Sequence, residues 1–370
     1  FKGTQRYSCC RLKESIEGVG GSLNGFTSEE LTCYLVKVPA GYLDTGLNVL
    51  SDMVINPLLP LHEIAKEKTV ILEELKMYKD LPQSYVYELL DELIWPKQPL
   101  GSPVIGTVES VTSVDRKALL DFKRKYYTAS NIVVSACGKL EPDRLENNIA
   151  KLFLGLEAEE KNVFSTAKEA QKTPQLKFFY KATEQTHLAL GFRSFAREHH
   201  LKHALSMLHI ILGANMSSRL FNEVREKRGL AYEVGTLVKR FQDTGAFIVH
   251  AGIDNGKVSA AIALILKELK KTKDNLVSPG EFKRAREFYI GQLKLVLEDT
   301  LEHMLWIGEA TTSLDRTFTL DEIITEVHRV DRSDIREAAR KIFRDVNLNL
   351  SIIGPLKGSA VKIRKALYVG

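Results

Sequence analysis

Long hydrophobic runs are missing from this sequence. No stretch approaches the roughly 20 apolar residues that a membrane-crossing helix requires, and the start has no basic-then-apolar leader, so a cytoplasmic chain without membrane contact is expected. Cysteine is scarce: the four residues Cys9, Cys10, Cys33 and Cys137 contain no C-x-x-C pair and two of them are adjacent, which suits neither a zinc knuckle nor a disulfide framework. Runs of like charge are absent as well, and a formal charge of +5 on 370 residues gives nucleic-acid binding little support. The glycines of "GVGG" at 18–21 are no dinucleotide loop, because no G-x-G-x-x-G follows a strand. There is also no initiating Met: the chain starts at Phe1, which reads as a fragment or a processed product.

What is present is ordinary globular composition, 44% hydrophobic and 27% charged, on a chain long enough for two domains. Two halves follow one plan. "LTCYLVKV" at 31–38 alternates as a strand and is followed by two helical patterns, the second being "HEIAKEKTVILEELKMY" at 62–78. Farther on, "GAFIVHAGI" at 245–253 reads as a strand, again followed by two helical patterns. A constant shift of 218 residues lays Glu63 over Glu281, Ile64 over Phe282, Val70 over Phe288 and Leu75 over Leu293. At that shift Glu67 meets Ala285 and Glu74 meets Gln292, so these two carboxylates exist in one copy only. The polar stretch 155–175 lacks periodicity and separates the halves. The expected division is residues 1–158, a linker 159–175, and residues 176–370. Short strand connections among paired helices favour an α+β fold, each domain a mostly antiparallel sheet with helices on one face.

The helix at 62–78 raises a chemical question. At about 100° per residue, Ile64, Val70, Ile71, Leu75, Met77 and Tyr78 form one apolar arc, and Glu67 and Glu74 fall inside it while Glu73 points away. A carboxylate buried without a partner costs several kcal/mol or takes up a proton. A salt bridge, a metal or a wet cleft would each compensate it.

"FKGTQRY", "GGSLNGFTSEELTCYLVKV", "EKTVILEELKMYKDLP", "YYTASNIVVSACG", "LGANMSSRLFNEVREKRGLAYEV" and "FQDTGAFIVHAG", in that order over nearly the whole chain, resemble the insulinase and pitrilysin superfamily of zinc peptidases, in its bacterial processing-peptidase-like branch. The resemblance implies two homologous domains closing as a clam around a peptide or unfolded polypeptide. Zinc would be held by an inverted His-x-x-Glu-His motif and a distant glutamate. It implies that Glu74 is that distant metal ligand, that Glu67 is a supporting carboxylate, that Arg225 and Tyr232 reach the substrate carbonyl from the other domain, and that Asn24 and Thr27 of "SLNGFT" lie along the substrate. The family motif would precede the segment "FKGT", so its histidines are not among these residues. The chain is therefore expected to be a zinc metalloendopeptidase by family, inactive as given and without tightly held zinc. The alternative is a non-catalytic peptide-binding or partner subunit, and the family admits a homo- or heterodimer. Two imitations of a metal site are set aside: "DTLEH" at 299–303, expected to serve packing, and the group His199, His200 and His203, expected to be solvated.

Overall fold

The computed structural model describes residues 1–159, 163–356, 363 and 367–370; positions 160–162 of the expected linker lie outside the described residues. In chain order the elements are α1 (Cys9–Glu17), β1 (Ser22–Thr27), β2 (Thr32–Lys37), α2 (Leu43–Ile55), α3 (Leu61–Asp80), α4 (Pro82–Ile94), α5 (Val108–Ser113), α6 (Arg116–Tyr126), α7 (Pro142–Phe153), β3 (Gln175–Tyr180), β4 (Gln185–Ser194), α8 (Lys202–Leu212), β5 (Ala231–Arg240), β6 (Gly245–Asp254), α9 (Val258–Asp274), α10 (Pro279–Glu298), α11 (Thr300–Leu314), α12 (Leu320–Arg329), α13 (Arg332–Ile342) and β7 (Leu348–Gly354). The fold is α+β. Two compact units are formed, and neither is continuous in sequence. The first comprises 1–76, 104–164 and 296–317; the second comprises 77–103, 165–295 and 318–370.

The second unit is built on a five-stranded sheet in the order β3-β7-β4-β6-β5, antiparallel except for the parallel pair β3–β7. Period-2 alternation sorts its side chains. Leu188, Leu190 and Phe192 of β4, Phe247 and Val249 of β6, and Leu350 and Ile352 of β7 enter one core with residues of α8, α9 and α13. The intervening Ala189, Ala246, Ile248 and Ile353 enter a second core with Val86, Leu89, Leu90, Ile94 and Trp95 of α4 and its C-terminal end. The expected helices on one face are α8, α9 and α13; α4 closes the other face, which the reading of an open sheet face did not anticipate. Gly191 allows this closeness, since a Cβ there would stand 2.9 Å from both Ile94 Cδ1 and Leu90 Cδ2.

In the first unit β1 and β2 pair antiparallel, with Ser22 opposite Lys37. Leu12 and Ile16 of α1 and Val49 and Met53 of α2 pack against Leu23, Tyr34 and Val36. The repeat is visible in the elements. Helices α3 and α10 are each 20 residues long. In the second unit, Ser351 of β7 donates to the carbonyl of Val86 in α4 at 2.7 Å. In the first, Ser135 donates to the carbonyl of Met304 in α11 at 2.9 Å. Each half of the sequence thus lends one helix to the unit built mainly from the other half. Homology and compactness divide the chain differently for this reason. The segment 132–138, which corresponds to β7, forms no ladder among the described residues.

Candidate functional site

In the first unit the carboxylates of interest stand on α3. The arc expected to meet a core is largely open, with Val70, Met77 and Tyr78 between 41% and 54% exposed and only Leu75 buried. The two carboxylates therefore need no burial compensation, which corrects the premise taken from the helical pattern. Their surroundings differ. Glu67 is half-exposed and accepts an ion pair from Lys2 at 3.0 Å, which raises the Lys2 pKa through its hydrogen bond to Glu67. Lys2 also approaches Glu63, at 3.7 Å, and Glu63 is bound by Lys66 at 2.9 Å. Glu73, on the other side of the helix, is bound by Lys76 at 2.6 Å. Glu74 is exposed and has no hydrogen-bond or ion-pair partner among the described residues.

Strand β1 has no neighbour on its outer edge among the described residues. Asn24 and Thr27 are both exposed, and alternation places them on opposite faces of the strand. Leu23 faces the core, so Asn24 and Phe26 occupy the outer face. The Asn24 side-chain carbonyl accepts the backbone N–H of Gly25 at 2.8 Å. Thr27 stands 3.4 Å from Thr32 across the hairpin, hydroxyl to hydroxyl.

The second unit brings Arg225 and Tyr232 together by two backbone irregularities. Residues Phe221–Glu226 form a turn of π-helix, a form found mostly as single turns and frequently at functional sites. Gly229, at φ +54°, then reverses the chain. Strand β5 opens with a bulge, its register shifting between Ala231 and Glu233, so that Tyr232 is the inserted residue. A bulge re-aims the side chain it carries. The guanidinium carbon of Arg225 lies 5.9 Å from the Tyr232 ring centre and 4.6 Å from that of Phe221, and Tyr232 is 76% exposed. Arg219 holds this segment to α10 by a two-pronged ion pair with Glu281, at 2.8 and 2.9 Å. Neither the bulge nor the π-turn has a signal in the residue pattern beyond Gly229.

The two imitation sites resolve into structure. Asp299 caps α11, accepting the backbone N–H groups of Leu301 and Glu302, which with the nearby charge of Lys37 lowers its pKa. His203 is buried, not solvated: its Nε2 lies 2.8 Å from Glu326 and its Nδ1 lies 3.1 Å from the Tyr289 hydroxyl, and burial pushes its pKa down against the pull of Glu326.

Across its length the chain matches known proteins. The family described as Insulinase (Peptidase family M16) covers residues 1–108, and the Peptidase M16 inactive domain covers 113–289. The protein named "Uncharacterized zinc protease YmxG" from Bacillus subtilis is 34% identical over 361 residues, 96% of this chain and 86% of the relative. The chain belongs to the M16 peptidase family. A further relative, named "Uncharacterized zinc protease SCO5738", from Streptomyces coelicolor, is 31% identical over 96% of this chain and 79% of its own length. Among solved structures, a protease from Helicobacter pylori superposes with a TM-score of 0.90 at 22% identity, over 96% of this chain and 87% of that one. An M16 inactive domain from Pseudomonas fluorescens gives 0.88 at 18%, over 96% and 86%. These two structures share the fold. No helix among the described residues is long and apolar enough to cross a membrane.

Zinc, which the relatives' names imply, takes three or four ligands from His, Cys and carboxylate side chains. Glu67 and Glu74 are seven residues apart, about 10.5 Å along the helix axis, and Glu67 is occupied by Lys2. No group of three or more His, Cys, Asp or Glu side chains converges among the described residues. These residues do not make a zinc site on their own.

Proposed function

We propose that this chain serves a zinc metalloendopeptidase that hydrolyses peptides or unfolded polypeptides. The observation that carries the reading is the contrast along α3. Glu63, Glu67 and Glu73 are each taken by a lysine, while Glu74 stands exposed and unclaimed among the described residues. Glu74 therefore keeps its oxygens open to solvent and free to ligate a metal without first breaking an ion pair. The outer edge of β1 would hold an extended substrate by backbone pairing, with Asn24 and Thr27 beside it. Arg225 and Tyr232, a cation and a hydroxyl without a burial role, would donate to the carbonyl oxygen as negative charge develops on it, a contribution that fixed donors make strongly. Glu67, released from Lys2, would orient a neighbouring ligand or water.

In the metal-loaded peptidase, Glu74→Gln should abolish zinc retention through dialysis while Glu73→Gln leaves it unchanged. Equal retention in both variants would remove Glu74 from the metal site. Residues 1–370 alone are expected to lose zinc on dialysis and to leave a quenched fluorescent peptide uncut. Stoichiometric zinc by elemental analysis would overturn that expectation.

The ion pair between Lys2 and Glu67 favours a second reading, a non-catalytic peptide-binding or partner subunit of the same family, because it gives Glu67 a structural task. Saturable peptide binding without turnover in the full-length protein would decide for it.

A further inference from the structure

A cleft lies in the second unit, away from Arg225 and Tyr232 in sequence and built from other elements. Segment 165–175 runs over the C-terminal end of α4 and lines an open cleft of about 640 Å³, a volume within the range of small-molecule sites. Hydrogen bonds fix the segment there. Gln98 accepts the backbone N–H of Lys168 at 2.6 Å and donates to its carbonyl at 3.2 Å. Asp243 accepts the N–H of Ala167 at 2.6 Å.

The cleft wall is cationic. Lys97, Lys168, Lys172 and Arg193 line it, against one carboxylate, Glu92, which is already paired with Lys177. Arg193 is only 5% exposed. Its Nε and Nη2 both donate to the Ile94 carbonyl at the end of α4, and no carboxylate among the described residues forms an ion pair with it. Glu169 is felt at Arg193 as a weaker charge, and burial lowers the arginine's pKa. Buried charges in proteins are paired or bound to something, because an uncompensated one is costly. Half of this guanidinium caps the C-terminal end of α4, whose dipole compensates part of the charge, while Nη1 has no acceptor among the described residues and is not sealed from solvent. The backbone adds a second sign. Lys97 holds φ +57°, a left-handed conformation that costs a non-glycine residue energy and that clusters at ligand sites.

We infer that this cleft binds a small, multiply charged oxyanion, such as a phosphate-bearing or polycarboxylate molecule, with Arg193 at its floor and Lys97, Lys168 and Lys172 at its rim. A planar arginine beside lysines matches phosphate and carboxylate oxygens, and four cations favour a di- or trianion over acetate. The inference is independent of the peptidase reading, since it uses none of that site's residues.

Isothermal titration of residues 1–370 with inorganic phosphate, pyrophosphate, citrate and acetate, all at one ionic strength set with chloride, tests it. Saturable binding is expected for pyrophosphate or citrate and not for acetate; which of the two binds more tightly separates phosphate from polycarboxylate. The double variant Lys168→Ala/Lys172→Ala, whose rim side chains carry no core, should melt at the same temperature without ligand and bind at least tenfold more weakly. Arg193→Gln should abolish binding, and if it fails to fold the rim variant still decides. Absent saturation with all four anions, an equal response to acetate, or unchanged affinity in the rim variant would overturn the inference.

Discussion

Removing α4 from the second unit should unfold it. Val86, Leu89, Leu90, Ile94 and Trp95 are each between 0% and 3% exposed, and all of them lie against the sheet face formed by Ala189, Ala246, Ile248 and Ile353. Burial of a large apolar side chain contributes about 1.5–3 kcal/mol, so the five together contribute about 8–15 kcal/mol, which matches the whole stability of a typical domain, about 5–15 kcal/mol. Residues 165–370 expressed alone keep β3 to β7 with α8, α9 and α13, yet expose that face. They should bind a hydrophobic dye and show no cooperative urea transition by circular dichroism. Adding a fragment of residues 77–103 in trans should restore the transition. In the intact chain Leu90→Ala should cost about 2–5 kcal/mol, the range for truncating a buried leucine. A cooperative transition for 165–370 at the intact chain's midpoint, unmoved by the fragment, would refute the argument and make α4 an accessory.

In the metal-loaded peptidase, Tyr232→Phe should lower kcat by one to three orders of magnitude, in line with about 2.7–4 kcal/mol for a lost oxyanion donor, with zinc content and melting temperature held; an unchanged kcat would leave the tyrosine without a chemical role. Glu67→Gln should change stability by less than about 1 kcal/mol, since the pair with Lys2 is exposed; a larger loss by urea titration would mean the pair is structural. Ser351→Ala should cost about 1–2 kcal/mol, because the buried hydroxyl donates to Val86 and Ala189 carbonyls that are left short of a donor. The Arg219–Glu281 pair predicts an acid effect. Its hydrogen bonds hold the Glu281 pKa at about 2 against an ordinary 4.5, so its contribution is complete above about pH 4.5 and fades as pH falls toward 2. Arg219→Met should flatten stability against pH across that window, and an unchanged slope would discount the pair.

The fold class was legible because apolar periodicity is local. β2, α2, β6, α9 and α10 fall where 2- and 3.6-residue spacing places them, and the resemblance to the M16 family rests on motifs in order along the chain. The exchange of α4 and α11 was not legible. An apolar face records that a helix is covered, not what covers it, and the covering sheet of α4 begins at Gln175. The same limit explains α3, where an apolar arc was read as buried and proves open. At the candidate site, spacing singled out Glu67 and Glu74, but nothing in it could announce Lys2 as the partner of one and not the other. Arg225 and Tyr232 were named by motif alone; the π-turn and bulge that set their rings and charge together depend on strand register, which the sequence does not print. His203 looked like one of three solvated histidines because its partners, Tyr289 and Glu326, lie far away along the chain.

The central position of β7 sets a timetable for synthesis. It inserts between β3 and β4, so the sheet that covers α4 is incomplete until Gly354 has left the ribosome, although α4 itself ends at Ile94. At about 5–20 residues per second, the chain between them takes on the order of 15–50 s to make. For that interval the sheet face that meets Leu89, Leu90 and Ile94 lacks Ile353 of its central strand, and helices form roughly ten million times faster than this wait. A nascent chain of this protein therefore offers the apolar face of α4 to holding chaperones, and its dependence on them should fall once β7 has been made.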